Sequence, residues 1–294
     1  MDNFIQFIKT DEFLSITFVI NIILLIGFIV NIIKFSKLDN KYKNFMKKIG
    51  DGKNIEEDLE TFMHVVRNVE KRNEEIAMLQ DLQEISDGKI YGCNDMVRAA
   101  CGDCAGCHAC CEEMGTSIVL DPCDIWRLTT VTGKNFEQLL ADTIELQVVD
   151  GVILPNLRMD GEKEQCVFLN EQGRCRIHAM RPGLCRVFPL GRIYEEKGFR
   201  YFLQVYECEK KDRLKVKVKK WIDIPDPARH DKFISDWHAY LKKQEEILEN
   251  DSSDESRKAV SMGILNTFYV RNYDRTRDFY EQFYERLEET EAVL

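Results

Sequence analysis

The feature that most constrains this chain is the run Cys101-Gly-Asp-Cys104-Ala-Gly-Cys107-His-Ala-Cys110-Cys111, five thiols in one short loop. Three more follow in a second compact stretch, at Cys166, Cys175 and Cys185. Sulfur at this density serves either as a disulfide framework or as a thiolate metal site. The chain has eleven cysteines, so simple pairing leaves one over. The neighbours Cys110 and Cys111 do not readily bridge each other, because a disulfide needs a wider Cα separation than adjacent residues give. Disulfide scaffolds also belong mainly to small secreted domains, and 294 residues can bury a core without them.

The compartment argument starts at the other end of the sequence. Phe13 to Ile33 is an uncharged apolar run. At 1.5 Å per residue it would span roughly 30 Å, the depth of a bilayer hydrocarbon core. Asp2, Asp11 and Glu12 precede it and no A-x-A site follows, which is unlike a signal peptide. We read it as a single transmembrane helix within an anchor over residues 1–49. Lys34, Lys37, Lys41, Lys43, Lys47 and Lys48 crowd its C-terminal flank. The positive-inside rule then sets the N-terminus outside and the cysteines in the cytoplasm, where thiols stay reduced.

A helical stripe from Thr17 through Asn21, Leu24, Phe28, Asn31, Phe35, Leu38, Tyr42 and Phe45 to Ile49 ends at Gly50-Asp51-Gly52. Asn21 and Asn31 could hydrogen-bond between helices in lipid or simply be tolerated there. Residues 50–88 read as a helical linker capped by Asn54. Ile55, Leu59, Phe62, Val66, Val69, Asn73 and Ile76 follow a heptad pattern. Two readings stand: a parallel homodimer through residues 55–76, registered by Asn73, or an amphipathic helix packed on the chain's own domain.

Residues 89–294 should form the globular part. Thr116–Leu120 reads as a strand, Asp121-Pro122 as the N-cap and N1 of a helix closed by Gly133, and Asn135 as the start of a helix over 136–146. Further strands are expected at 152–154 and 156–159, and a hairpin from 192–194 and 199–206 around 195–198. Alternation over 213–219 places Arg213, Lys215, Lys217 and Lys219 on one strand face, either against anionic lipid or guarding an exposed edge. Pro225 and Pro227 end the sheet region. Helices are expected over 231–249 and 260–287, the latter studded with aromatics that read as core. The fold class is α+β, a cysteine-rich domain of short strands with surrounding helices. A net charge of −10 argues against nucleic acid as a partner.

Successive C-x2-C turns aim thiolates at one centre and point backbone N–H groups at the sulfurs. Paired turns suit zinc. Three cysteines in C-x2-C-x2-C with a remote fourth near a proline suit an iron–sulfur cubane, and Cys185 lies just upstream of Pro189. Spacing favours iron–sulfur modestly. Cys93 and Cys123 stand outside the pattern and read as ordinary thiols.

The second run, Cys166-x8-Cys175-x2-His178-x2-Arg181-Pro182-x2-Cys185-Arg186-x-Phe188-Pro189, taken with Cys104-x2-Cys107-x2-Cys110-Cys111, closely resembles the bacterial CxxCxxCC (YkgJ-like) cysteine-cluster family. That family is described as zinc- or iron-chelating and includes flagellin lysine N-methylases. The resemblance covers about Gly102 to Cys208. It implies metal ligands at Cys104, Cys107, Cys110, Cys111, Cys166, Cys175 and Cys185, with Cys208 a less specific match. Cys101 is an extra thiol ahead of the motif, and His178 stands where family members often carry tyrosine.

The thiolates could form one site with spare cysteines or two four-ligand sites. Cys110 and Cys111 would then go to different sites, or one of them would be structural. His178 reads more readily as a surface residue than as a ligand. Arg181 and Arg186 are the candidate cofactor-binding residues: they could offset the negative charge of a thiolate-rich cluster or receive an anionic substrate, or form salt bridges with nearby carboxylates. Three functions follow, in order: a membrane-anchored cytoplasmic protein holding an iron–sulfur cluster (4Fe-4S) or zinc; an S-adenosylmethionine-dependent protein lysine methyltransferase; and an assembly factor recruiting a protein partner through its heptad helix. Neither a Gly-rich strand-to-helix loop nor a C-x3-C-x2-C stretch supports the second.

Overall fold

The computed structural model describes residues 82–102, 107–195, 197–210 and 212–291, all within the unit Asp81–Leu294. The expected membrane span, its lysine flank and the heptad segment lie outside the described residues. Among the described residues no helix is long and apolar enough to cross a membrane.

In chain order the elements are β1 (Ser86–Tyr91), β2 (Met96–Ala100), α1 (Pro122–Thr132), α2 (Phe136–Asp142), β3 (Ile144–Val149), β4 (Val152–Leu157), β5 (Met159–Asp160), β6 (Gln165–Cys166), α3 (Gly183–Val187), β7 (Leu190–Tyr194), β8 (Phe199–Gln204), β9 (Leu214–Lys217), α4 (Val218–Ile222), α5 (Pro227–Asn250), α6 (Asp254–Leu265) and α7 (Phe279–Glu291). A π turn, Asn266–Val270, follows α6. The strands form one three-stranded antiparallel sheet, β1-β8-β7, and three separate ribbons, β2-β9, β3-β4 and β5-β6. The fold is α+β. Its sheet takes in β1, which begins ahead of Lys89.

Local chemistry accounts for most boundaries. Helix α1 opens on a capping box: the Asp124 N–H donates to Asp121 at 2.8 Å, the Asp121 N–H contacts Asp124 at 3.4 Å, and Pro122 sits where no donor is needed. Gly133 closes it with a left-handed φ of 77°. Asn135 and Gln138 repeat the box for α2.

Helix α2 stops at Asp142, short of the expected 146. From Ile144 the alternation Ile-Glu-Leu-Gln-Val-Val forms β3, and Asp150-Gly151, both at positive φ (48° and 83°), turn it back into β4. Two successive positive-φ residues are the hairpin turn that matches strand twist, so a two-residue signal outweighs helix propensity here. Pairing carries β4 through Pro155 to Leu157, joining pieces the sequence suggested were separate. Thr116–Leu120 is not a full strand; Val119 makes a single bridge to Asn156, flanked by backbone bonds from Leu120 to Pro155 and from Leu157 to Ile118.

The β7-β8 hairpin forms where expected, closed by the pair Tyr194 and Phe199. The basic alternation gives only β9, because Val218 is buried and the Val218 and Lys219 amides turn to Asp95 and Cys93 as α4 begins. Helix α5 starts at Pro227 and not Asp231, with Asp226 accepting from the Arg229 amide, a repeat of the Asp-Pro signature of α1. The expected 260–287 helix is two. Between α6 and α7 the Arg286 guanidinium holds the carbonyls of Thr267, Arg271 and Asn272 and braces the chain reversal.

Two cores result. The larger gathers α1, α2, β3, β4, α5, α6 and α7 around aromatics, with Phe233, Phe268 and Phe283 wholly buried and the Phe233 and Phe283 rings edge-on at 4.7 Å. Each such burial is worth about 1.5–3 kcal/mol. These residues are core, as their spacing suggested. The smaller core packs β2, β8 and α4 through Val97, Tyr201, Leu203 and Val218.

Candidate metal centre

A cavity of about 460 Å³ opens where side chains of the larger core (Ile118, Leu157, Phe168, Ile177) approach Leu190 of the smaller one. Eight of the ten described cysteines line it: Cys101, Cys107, Cys110, Cys111, Cys166, Cys175, Cys185 and Cys208. The two left out are Cys93 and Cys123, and Cys123 is buried in the larger core. Cys104 lies outside the described residues. Cys93, Cys107, Cys110, Cys111, Cys123, Cys166, Cys175, Cys185 and Cys208 are all free thiols.

Each thiol is delivered by a specific piece of backbone. Cys110 and Cys111 sit in a 3₁₀ turn, Ala109–Cys111, closed by the Cys111 amide on the His108 carbonyl at 2.7 Å. Glu112 then bridges Gln165, and the Glu113 amide reaches Glu164, so the first cysteine run is stitched to β6, which ends in Cys166. A second bridge, Leu169 to Cys175, closes the loop between those two cysteines. Its tip carries Gly173 at φ 67°, packed under the His108 ring.

Cys185 rides on α3. The Gly183 amide donates to Asp124 at 2.8 Å, and the 1 % exposed Asp124 also accepts from Arg127 at 3.0 Å. The α1 capping box therefore anchors the Arg181-Pro182 turn as well. After Arg186 and Val187 the chain passes through a cis Phe188-Pro189 bond, and Trp221 donates to the Phe188 carbonyl at 3.0 Å.

The electrostatics are those of thiols gathered out of water. Burial pushes Cys166, Cys175, Cys185 and Cys208 up, and at Cys185 the neighbouring Cys166, Cys110 and Cys175 add to the rise. Cys110 goes the other way, to about 7, because the Cys111 thiol donates to it and Arg181 lies nearby; the same bond raises Cys111. Backbone amides oppose burial at Cys166 (Phe168 and Leu169), Cys175 (Ile177), Cys208 (Lys210) and Cys110 (its own amide). An amide two residues beyond a cysteine, aimed at its sulfur, stabilises the thiolate that a metal requires.

The two arginines part company. Arg181 is on the cavity wall, its guanidinium donating to the His178 carbonyl at 2.9 Å and lying 3.3 Å from His178 Nδ1. His178 is on that wall too. The cavity lining does not include Arg186, which is buried and spends its donors on backbone carbonyls of Ala179, Arg181 (3.1 Å) and Asp223 (2.8 Å). Sequence reasoning left Cys101 open and missed the Asp124 anchor and Trp221. The capping box signalled the first half of the Asp124 role; nothing in the sequence signals Trp221.

Soft thiolate donors with amide support and an apolar surround fit zinc or an iron–sulfur cluster. As they stand, no three Cys, His, Asp or Glu side chains among the described residues form a group able to hold one ion. The fold and lining together define an α+β domain with a thiol-lined cavity.

Residues 103–213 match the model of the CxxCxxCC family, described as a putative zinc- or iron-chelating domain. That match supports a metal-binding role and agrees with the segment singled out by the cysteine spacing. Residues 13–97 match a family of proteins of unknown function, DUF4446. No curated protein and no solved structure matches the chain.

Proposed function

We propose that this chain is a membrane-anchored, cytoplasmic metal-binding protein whose cavity holds a four-iron, four-sulfur cluster. The observation that carries the metal reading is the gathering of eight cysteines at the wall of one cavity, seven of them inside the segment that matches the zinc- or iron-chelating family model. Four thiolates on a single zinc converge to about 2.3 Å from one point. Ligands of a cubane bind separate irons and stand farther apart, which suits thiols lining a space of about 460 Å³. The C-x2-C-x2-C spacing and the position of Cys185 before Pro189 point the same way.

When bound, such a cluster supplies one-electron exchange, at a potential set by hydrogen bonds to sulfur and by burial. The chain's own part is to hold the thiolates with the Phe168, Ile177 and Lys210 amides, to offset their charge with Arg181, and to keep water away with Phe168, Phe188 and Trp221. The membrane placement rests on the uncharged run over 13–33 and the lysines behind it, and a homodimer through 55–76 on its heptads.

Anaerobic purification of the full chain in detergent, with iron, acid-labile sulfide and zinc counted per chain and Mössbauer spectra recorded, tests this reading. Equimolar iron and sulfide is the expected result. Stoichiometric zinc without sulfide, or a folded chain free of metal, overturns the cluster assignment.

A further inference from the structure

The basic residues of β9 face a partner strand that carries the same charge. In the β2-β9 ribbon Arg98 stands directly opposite Lys215, and Met96 opposite Lys217. Val97 and Ala99 are buried in the smaller core, so Met96 and Arg98, both exposed, share the outer face. Lys215 and Lys217 are exposed with them. Leu214 opens β9 at 74 % exposure, and the exposed Lys219 and Lys220 follow on α4. Among the described residues no ion pair engages Arg98, Lys215, Lys217, Lys219 or Lys220. Two carboxylates flank the ribbon: Asp95 accepts from the Gly92 amide at 2.7 Å, and Asp212 is exposed ahead of β9.

Like charges directly opposite on one face of a ribbon destabilise it. Lysines that only guard a strand edge need neither an opposed arginine on the neighbouring strand nor exposed methionine and leucine among them. A concentrated cationic face on a chain of net charge −10 fits an anionic counter-surface. The overall acidity opposes nucleic acid. Cations interleaved with protruding apolar side chains suit a lipid leaflet, where headgroups take the charges and the acyl boundary takes Met96 and Leu214.

We propose that the outer face of the β2-β9 ribbon, built from Met96, Arg98, Lys215 and Lys217 with Leu214 at its end and Lys219 and Lys220 beyond, docks on the headgroups of an anionic membrane. The inference rests on the membrane anchoring proposed above, which would hold the domain at high local concentration beside a leaflet, and it adds to that reading a docking face and a lipid class. Each cation brought to an anionic leaflet strengthens association about fivefold. High salt removes most of that gain, the screening length falling to about 3 Å at 1 M ionic strength.

The test places the full-length protein in lipid nanodiscs of phosphatidylcholine with or without phosphatidylserine, and reads lysine acetylation rates by mass spectrometry. Lys215 and Lys217 are expected to react several-fold more slowly with phosphatidylserine present and to recover in high salt, while Lys243 on α5 and Lys258 on α6 stay unchanged. Arg98→Glu places an opposite charge before Lys215, so by far-UV circular dichroism it should fold at least as well as wild type, and it should remove most of the protection of Lys217. Lys217→Gln, read at Lys215, serves if that variant misfolds. Equal rates in the two lipids, or full protection in the folded variants, overturns the proposal. Protection by soluble polyglutamate but not by phosphatidylserine assigns the face to an acidic protein and overturns it equally. Protein that fails to enter neutral nanodiscs overturns the anchor reading instead, because added phosphatidylserine vesicles still report docking through the same two lysines.

Discussion

Glu112 and Gln165 pair across an antiparallel bridge, one residue after Cys111 and one residue before Cys166. A side-chain hydrogen bond from Gln165 to Glu112 reinforces it. This is the point at which two cysteine runs far apart in sequence are joined by backbone hydrogen bonds.

Breaking that bridge should therefore weaken metal retention without touching a ligand. Proline at 165 removes a donor from the β5-β6 ribbon, whereas alanine keeps it. Gln165→Pro is expected to lose metal to a competing chelator several-fold faster than wild type and to lose about 1–3 kcal/mol of stability. Gln165→Ala, which loses only the side-chain bond to Glu112, should lose less of both than proline does. Equal retention by the two variants would mean the bridge is incidental.

The loop between Cys166 and Cys175 depends on Gly173. Its φ of 67° is strained for an L residue by about 1–2 kcal/mol, and an added Cβ would lie 2.6 Å from His108 Nδ1. Gly173→Ala should destabilise the protein by at least that strain and displace His108, next to Cys107. Adding His108→Ala relieves the contact but not the backbone, so urea titration of the double variant is expected to recover only part of the loss.

Arg186 tests bracing against cofactor binding. Its guanidinium spans the 179–181 turn and the Asp223 carbonyl, a reach that lysine's single ammonium does not reproduce. Arg186→Lys should cost at least about 2 kcal/mol in denaturant melts while metal bound per folded chain stays near wild type. For Arg181, on the cavity wall, Arg181→Lys should change metal retention more than global stability.

Histidine 230 supplies a pH signature outside the cavity. It is 2 % exposed, contacts the Tyr280 hydroxyl at 3.2 Å, and burial together with Arg127, Arg192 and Arg186 lowers its pKa to about 2. Below an unfolded value of about 6.5 only the unfolded chain binds the proton, so this histidine's contribution to stability is full above pH 6.5 and falls as pH drops toward 2. By pH 5 the loss is about 2 kcal/mol. Asp121, pushed up to about 7 by burial and by Asp124, pulls the opposite way between pH 4 and 7. The readout is consequently the difference between wild type and His230→Gln: the variant should lose less stability, or gain more, between pH 7 and pH 5. Parallel curves would show that His230 accepts a proton in the folded protein.

Much of the site was legible because its signals are short in range. C-x2-C spacing, Asp-Pro caps and the closing glycine of α1 are properties of a few consecutive residues, and they singled out Cys107 and Cys110, which line the cavity, and the start of the helix that anchors α3, whereas Cys166, Cys175, Cys185 and Cys208 were drawn from the family resemblance. The misreadings share one cause. Over 143–149 the residues suit helix or strand, and Asp150-Gly151 together with the partner strand β4 decides it; over 218–222 the burial of Val218 ends a strand that the lysine alternation would have continued.

By itself the sequence determined that this chain carries a cysteine set of the zinc- or iron-chelating type within an α+β domain, since donor identity and spacing are written in the residues. Only the tertiary structure decided that Cys101 joins the wall while Arg186 turns away from it, and that Asp124 holds the segment bearing Cys185. Those outcomes depend on which distant backbone amides and carbonyls meet a side chain after the two cores have packed, and no local pattern encodes that meeting.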